Sequence, residues 1–365
     1  MIHRLVFENL KHRPVQTLLS AIGIGVSITM ILTLVGVSRG TLGDIQERSR
    51  GTGADILIRP PNSAALSLSG NMKLGDKLVL KVREQPHVAL ATGILMQSAG
   101  DLFDNIDGIN LAEFNQMSGG FRYLEGGPFQ RPDDMIVDED YARSKNLHVG
   151  SEVTSAGPRW HISGVVEPGK LARMFAQIDT MREKYSEPGE VSVIYVKVDD
   201  AANIPSVLEN LRQIMPDHKI FTMQEYTDRV SVNSIPLLKN FTNVVIVLTV
   251  IWGLLVVFQT MYTAVLQRTR EIGILKALGA SPGYILGVLL REAVLLAVVG
   301  AIAGILMTFG TRALMHRFVP TLTQAIVPDW WWRALLIALT AAILGALYPG
   351  LKAARQDAIE ALAYD

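Results

Sequence analysis

The stretch LLSAIGIGVSITMILTLVGV, Leu18–Val37, decides how the rest of the chain is read. It carries no charge. As a helix rising 1.5 Å per residue it crosses a hydrocarbon core of roughly 30 Å. A basic start (Arg4, Lys11 and Arg13) precedes it, as in a secretory leader. The run exceeds the apolar core of such a leader, about 7–15 residues, and no A-x-A cleavage site follows, so an uncleaved spanning helix is expected. Upstream, Ile2, Leu5, Val6 and Leu10 alternate with Arg4, Glu8 and Lys11, which predicts an amphipathic helix over 1–14 in the membrane interface. Downstream lies a polar insert over 41–237, far too long for a loop. Three more uncharged runs follow it: Phe241–Gln267, Ala293–Thr311 and Ala334–Leu351.

The predicted architecture is a membrane protein with four transmembrane α-helices, one plus three, and an α+β extracytoplasmic domain inserted between the first two. The expected boundaries are 15–40, 238–267, 283–312 and 330–351 for the spans, and 41–237 for the domain with its stalk ends. A connecting loop covers 268–282, a short external loop 313–329 and a tail 352–365. Arg4, Lys11, Arg13, Arg268, Arg270, Lys276, Lys352 and Arg355 fall on one side of this arrangement, and Arg312 and Arg317 on the other. The bias predicts that both termini and the 268–282 loop are cytoplasmic and the insert external. Trp330, Trp331 and Trp332 stand where the last span enters from outside, as an aromatic belt would.

Over 365 residues the hydrophobic content is 49%, and 34 Lys and Arg balance 34 Asp and Glu. Balanced charge gives no basic face, so no nucleic-acid partner is expected. The absence of cysteine excludes disulfides, thiolate metal sites and a cysteine nucleophile. Within the insert, Ala54–Arg59, Trp160–Val166 and Val191–Val198 read as strands, and Ile204–Met215 as a helix closed by Pro216. Residues 60–75 and 117–133 read as loops. The mixture predicts an α+β domain, with two lobes as an open alternative.

Catalytic signatures are weak. Gly70-Asn-Met-Lys-Leu-Gly75-Asp-Lys77 imitates a phosphate loop, but Asp76 separates glycine from lysine and would repel phosphate. Met117-Ser-Gly-Gly120 resembles half of a nucleotide signature without its companions. Asp138, Glu139 and Asp140 suit the start of a helix, where acids face the positive end of the dipole, better than a metal site. His148, His161 and His218 lack metal-ligand spacing, and no Gly-x-Ser-x-Gly occurs. No catalytic residue, metal or bound cofactor is therefore expected in this chain.

Two features inside the spans remain. Arg291 and Glu292 form a candidate intramembrane charge pair, since Arg291 stands about 12 Å along a helix begun at Gly283. A structural pair near the cytoplasmic surface fits better than a proton relay, because few ionisable residues follow. Gly300 and Gly304 form a G-x-x-x-G pair that allows two helices to approach closely.

The sharpest local signal is QRTREIGILKALGASP, Gln267–Pro282. It predicts a short helix on the cytoplasmic face, with Ile272, Leu275 and Leu278 as an apolar stripe and Arg270, Glu271 and Lys276 facing elsewhere. Gly279 sits where a C-terminal cap belongs, and Pro282 follows. A partner pushing this knob would move both adjoining spans; the ordinary alternative is a loop anchor.

Arg268-Thr-Arg-Glu-Ile-Gly-Ile-Leu-Lys-Ala-Leu-Gly-Ala280 closely resembles the coupling segment of MacB/FtsX-like ABC permeases, including LolC-type relatives. Tyr348-Pro-Gly-Leu-Lys-Ala-Ala-Arg355 and Ile359-Glu-Ala-Leu362 resemble that family's tail. Ile106-Asp-Gly-Ile-Asn110, Leu124-Glu-Gly-Gly127, Ile136-Val-Asp138, Val149-Gly150 and Ile162-Ser-Gly-Val165 resemble its periplasmic core domain. The resemblance implies a bacterial inner-membrane permease subunit, paired with a second copy or a similar chain. It implies a dimer of cytoplasmic ABC ATPase subunits, supplied separately, that binds the ATP and Mg. Arg270, Glu271, Ile272, Leu275, Lys276, Leu278 and Gly279 would lie in or beside that contact. Stalk helices around 39–50 and 226–239 would carry the stroke to the external domain, driving export or extraction of a small molecule, lipid or lipoprotein. A periplasmic adaptor or outer-membrane partner is compatible with this. No stretch matches the hook by which lipoprotein-extracting members hold a chaperone. The alternative implied by the same family is a non-transporting regulator that activates a periplasmic partner such as a cell-wall hydrolase.

Overall fold

A computed structural model describes residues 14–61, 63, 72–99, 105–230 and 236–355; the predicted N-terminal amphipathic helix and the 359–362 segment lie outside these. In chain order the elements are α1 (Pro14–Arg50), β1 (Ile56–Arg59), β2 (Leu74–Gly75), α2 (Lys77–Arg83), β3 (Val88–Ser98), β4 (Asn105–Ile109) and α3 (Leu111–Ser118). Then come β5 (Tyr123–Gly126), β6 (Asp134–Asp138), α4 (Glu139–Lys145), β7 (Glu152–Thr154), β8 (Arg159–Val166), β9 (Met174–Gln177), α5 (Ile178–Lys184), β10 (Glu190–Val191) and β11 (Val193–Val198). The chain closes with α6 (Ile204–Ile214), β12 (Lys219–Thr222), α7 (Met223–Arg229), α8 (Pro236–Gln267), α9 (Thr269–Ala277), α10 (Pro282–Phe318) and α11 (Pro328–Arg355). These divide into two compact units. One draws on Met1–Ser38, Leu237–Met315 and Gln324–Asp365; the other on Arg39–Pro236 and His316–Thr323.

The first unit is helical. Among the described residues four helices, α1, α8, α10 and α11, are long and apolar enough to cross a membrane, one before the inserted domain and three after it. Two of them, α10 and α11, begin with proline, whose fixed φ suits the first helical turn and whose missing N–H is needed by no partner there. Small residues set the packing. The buried face of α11 includes Ala334, Ala338, Ala341, Ala342, Gly345 and Ala346. Gly300 and Gly304 of α10 lie against α1: a Cβ on Gly300 would stand 2.7 Å from Ile24 Cβ, and one on Gly304 2.6 Å from the Gly25 carbonyl oxygen. Without a hydrophobic drive between helices in lipid, such close backbone contact supplies the dispersion that holds them. Thr29 Oγ1 donates to the Gly304 carbonyl across the same seam at 3.0 Å.

The second unit is built on one mixed sheet, ordered β12-β1-β11-β3-β4-β9-β6-β8-β5, with β7 added on β8. Two pairs, β4 with β9 and β6 with β8, are parallel. Both faces are covered. Ile56, Ile58, Ile106, Val137, Trp160 and Ile162 pack into one core, and Leu57, Ile109, Ile136, Phe175 and Tyr195 into the other. Strands buried on both faces read as apolar runs rather than clean alternation, which is why 54–59 and 191–198 were legible as strands.

Three expectations are corrected. The open two-lobe alternative gives way to one main sheet, beside the small two-stranded pair of β2 and β10, because the 11-residue strand β3 pairs with β11 along one part and with β4 along the other. The supposed loop 117–133 contains β5, an edge strand on β8 whose exposed Leu124 and Glu125 gave it no apolar run. The continuous stalk helix expected over 226–239 is interrupted: α7 ends at Arg229, where Val230 leaves helical geometry. Asp138 caps α4, its Oδ1 accepting the Tyr141 N–H at 2.8 Å, as the acid-rich helix start anticipated.

Candidate coupling site

The chain between α8 and α10 folds as α9 with a break on each side. Arg268 leaves helical geometry at φ −112°, ψ 15°, so α9 turns away from α8. At the far end Gly279 takes φ +91°, a conformation that costs little only for glycine. Its N–H donates to the Lys276 carbonyl and the Ala280 N–H to the Leu275 carbonyl, both at 2.9 Å. This double closure satisfies carbonyls that the helix end would otherwise orphan. Ser281 then caps α10, its hydroxyl accepting the Tyr284 N–H at 3.2 Å.

The apolar residues of α9 split between two faces. Ile272 is buried in a cluster with Val265, Ile285, Leu289 and Ala353, which seats the helix on α8, α10 and α11. Ile274, Leu275 and Leu278 are 46%, 38% and 80% exposed. The predicted stripe Ile272–Leu275–Leu278 is therefore corrected. Six residues at about 100° each bring Leu278 roughly 120° round the helix from Ile272, so one points inward and the other outward. The exposed row is Ile274–Leu278, at the four-residue spacing that stacks side chains along one face. Arg270, Glu271 and Gly279 are exposed beside it, and Lys276 is half-buried.

The expected Arg291–Glu292 pair is also corrected. Arg291 is exposed, whereas Glu292 is buried and pairs with Arg268, whose Nη1 donates to Glu292 Oε2 at 3.2 Å. Successive residues on a helix point about 100° apart, and the buried face of α10 takes Glu292 together with Ala293 and leaves Arg291 outside it. The pair ties the start of α9 to α10 and forms part of the wall of a small cleft, which Glu271, Leu275 and Tyr284 also line. Sequence reasoning missed Ile274 and Arg268. The four-residue spacing to Leu278 could have revealed Ile274; nothing local marks Arg268 as the partner of a residue 24 positions on.

Residues 17–214 match the MacB-like periplasmic core domain, and residues 243–358 the FtsX-like permease C-terminal domain. Macrolide export ATP-binding/permease protein MacB of Escherichia coli O6:K15:H31 (strain 536 / UPEC) is 27% identical over 395 residues, covering 98% of this chain and 60% of that protein. MacB of Escherichia coli (strain K12) is 26% identical over 392 residues with the same coverage. The chain thus spans about 60% of the length of the curated relatives it matches. Among solved structures, the periplasmic region of MacB from Actinobacillus actinomycetemcomitans is 18% identical, covering 50% of this chain and 94% of that one at a TM-score of 0.39. The extracellular domain of the transporter YknZ from Gram-positive bacteria is 14% identical, covering 46% and 98% at a TM-score of 0.34.

Proposed function

The chain belongs to the MacB/FtsX-like permease family, and from that premise we propose that it is the permease part of an ABC transporter whose ATP- and Mg-binding subunits act on α9 from the cytoplasm. The observation that carries this reading is the exposed apolar row of α9, Ile274 and Leu278 with Leu275 beside it, on a helix whose opposite face is buried against three spans. Adjoining exposed apolar side chains on one helix face suit the docking of another protein better than apolar residues scattered singly. Arg270 and Glu271 beside the row supply charges for orientation.

Nucleotide-driven closure of the ATPase pair then displaces α9. Ile272 and the Arg268–Glu292 pair pass that displacement to α10 and α11. A second copy of the chain completes the permease, and both sit in the bacterial inner membrane with their termini cytoplasmic. The external domain acts on cargo or on an adaptor and outer-membrane partner without passing substrate through the spans. The macrolide export named for its relatives favours a small amphipathic molecule over a lipoprotein as cargo.

Leu278→Asp tests the contact. Placing a charge at the most exposed apolar position of the row leaves the buried face intact. Copurification of a nucleotide-hydrolysing subunit with the tagged full-length chain is expected to fall at least tenfold in this variant, and permease-stimulated ATP turnover with it. Wild-type recruitment and turnover in the variant would refute the docking row.

A further inference from the structure

The sheet unit holds a buried charge cluster that the coupling site does not use. Arg48, near the end of α1, is 5% exposed. Its Nη2 lies 2.7 Å from Asp138 Oδ2, its Nε 3.0 Å from Asp44, and its Nη1 donates to the Ala172 carbonyl at 3.1 Å. The chain passes so close here that a Cβ on Gly51 would stand 1.9 Å from the Gly169 carbonyl oxygen. Arg173 extends the cluster. Its Nη2 donates to Asp44 Oδ2 at 3.1 Å and to the Thr321 carbonyl at 2.7 Å. Its own carbonyl accepts the Asp138 N–H at 2.8 Å, which fixes it at the head of β9 beside β6.

Thr321 belongs to the connection between α10 and α11, and the segment His316–Thr323 is part of this unit. One guanidinium thus meets two separate passages of the chain, the end of α1 and the α10–α11 connection, while its backbone is fixed in the sheet. A planar five-donor fork can hold two acceptors at once in a fixed geometry; a lysine ammonium is a single, more mobile point charge.

We propose that Arg173 is a positioning residue that clamps the α10–α11 connection and the end of α1 to the β6–β9 strand pair. Displacement of α10 and α11 then reaches the external domain directly as well as through α1. The functional meaning of this clamp rests on the transmission reading above; its existence does not.

Hydrogen–deuterium exchange on the purified full-length chain in lipid nanodiscs tests it. Arg173→Gln is expected to raise exchange roughly ten- to hundredfold at 319–323 and 44–50, the change expected when a charge-assisted contact is lost. Strands β1 and β11 should keep their protection. Arg173→Lys is expected to keep protection at 44–50 and lose it at 319–323. A Gly-Ser insertion after Val319 is expected to raise exchange across β9 with Arg173 present and to add nothing in Arg173→Gln. Unchanged exchange at 319–323 in Arg173→Gln, a uniform rise that includes β1 and β11, or an insertion effect independent of Arg173 would each overturn the proposal. Failure of ATPase recruitment would sink the transporter reading and leave these exchange results standing.

Discussion

Asp107 shows how a single side chain sets a pH dependence. It lies in β4 opposite Met96 and Phe175, 1% exposed, and its Oδ1 has no hydrogen-bond partner among the described residues. Burial pushes its pKa up to about 8. The sign follows from comparing folded and unfolded states. Below about pH 4 the carboxyl is protonated in both, and folding bears no ionisation penalty. From about pH 4 to 8 the unfolded chain ionises while the folded one stays neutral, so stability falls by up to about 1.4 kcal/mol per pH unit. Above about 8 both are ionised and the loss is complete. Asp107→Asn is expected to flatten this slope, raising the melting temperature of the detergent-solubilised chain at pH 8 with little change at pH 4. A parallel downward shift at both pH values would show that Asp107 is not held neutral. Its burial could not be read from the sequence, because the flanking Ile106 and Gly108 fit an edge strand equally well.

Elements are joined here by a few buried contacts, and the Arg268–Glu292 pair is the clearest case. The side chains are 10% and 5% exposed. Taking two ions out of water costs nearly what their attraction returns, but removing one strands the other. Glu292→Gln alone is expected to destabilise the helical unit by about 3–5 kcal/mol. Arg268→Gln combined with Glu292→Gln should recover much of that, read as melting temperature in detergent. A double variant no better than the single one would show that the two residues do not act as a pair. The helices themselves were legible, since an uncharged run is a local property. The pairing was not, because Glu292 meets a partner 24 positions away in the chain rather than its neighbour Arg291.

At the scale of the molecule, the chain alternates between membrane and aqueous parts, and its sidedness fixes what can touch α9. The chain has no cysteine, so single cysteines can report accessibility without background. Ala277 on α9 and Ala201 in the external domain are both exposed. In intact spheroplasts a membrane-impermeant maleimide is expected to label Ala201→Cys and to reach Ala277→Cys only after lysis. Labelling of both before lysis would contradict the proposed orientation and every mechanism in which a cytoplasmic ATPase grips α9.

The sequence by itself determined four spans in a one-plus-three order, an α+β insert and a capped helix ending at Gly279. Each is written in short windows: the length of an uncharged run, strand-forming apolar stretches, a glycine where a helix must stop. Only the tertiary structure decided that Ile274 rather than Ile272 shares the exposed face of α9 with Leu278, that Glu292 meets Arg268, that β3 joins β11 and β4 in one main sheet, and that Arg173 reaches both Asp44 and Thr321. Those facts depend on residues far apart in the chain arriving at one place. Direction round a helix and register within a sheet set that arrival, and neither is fixed until the partner is present.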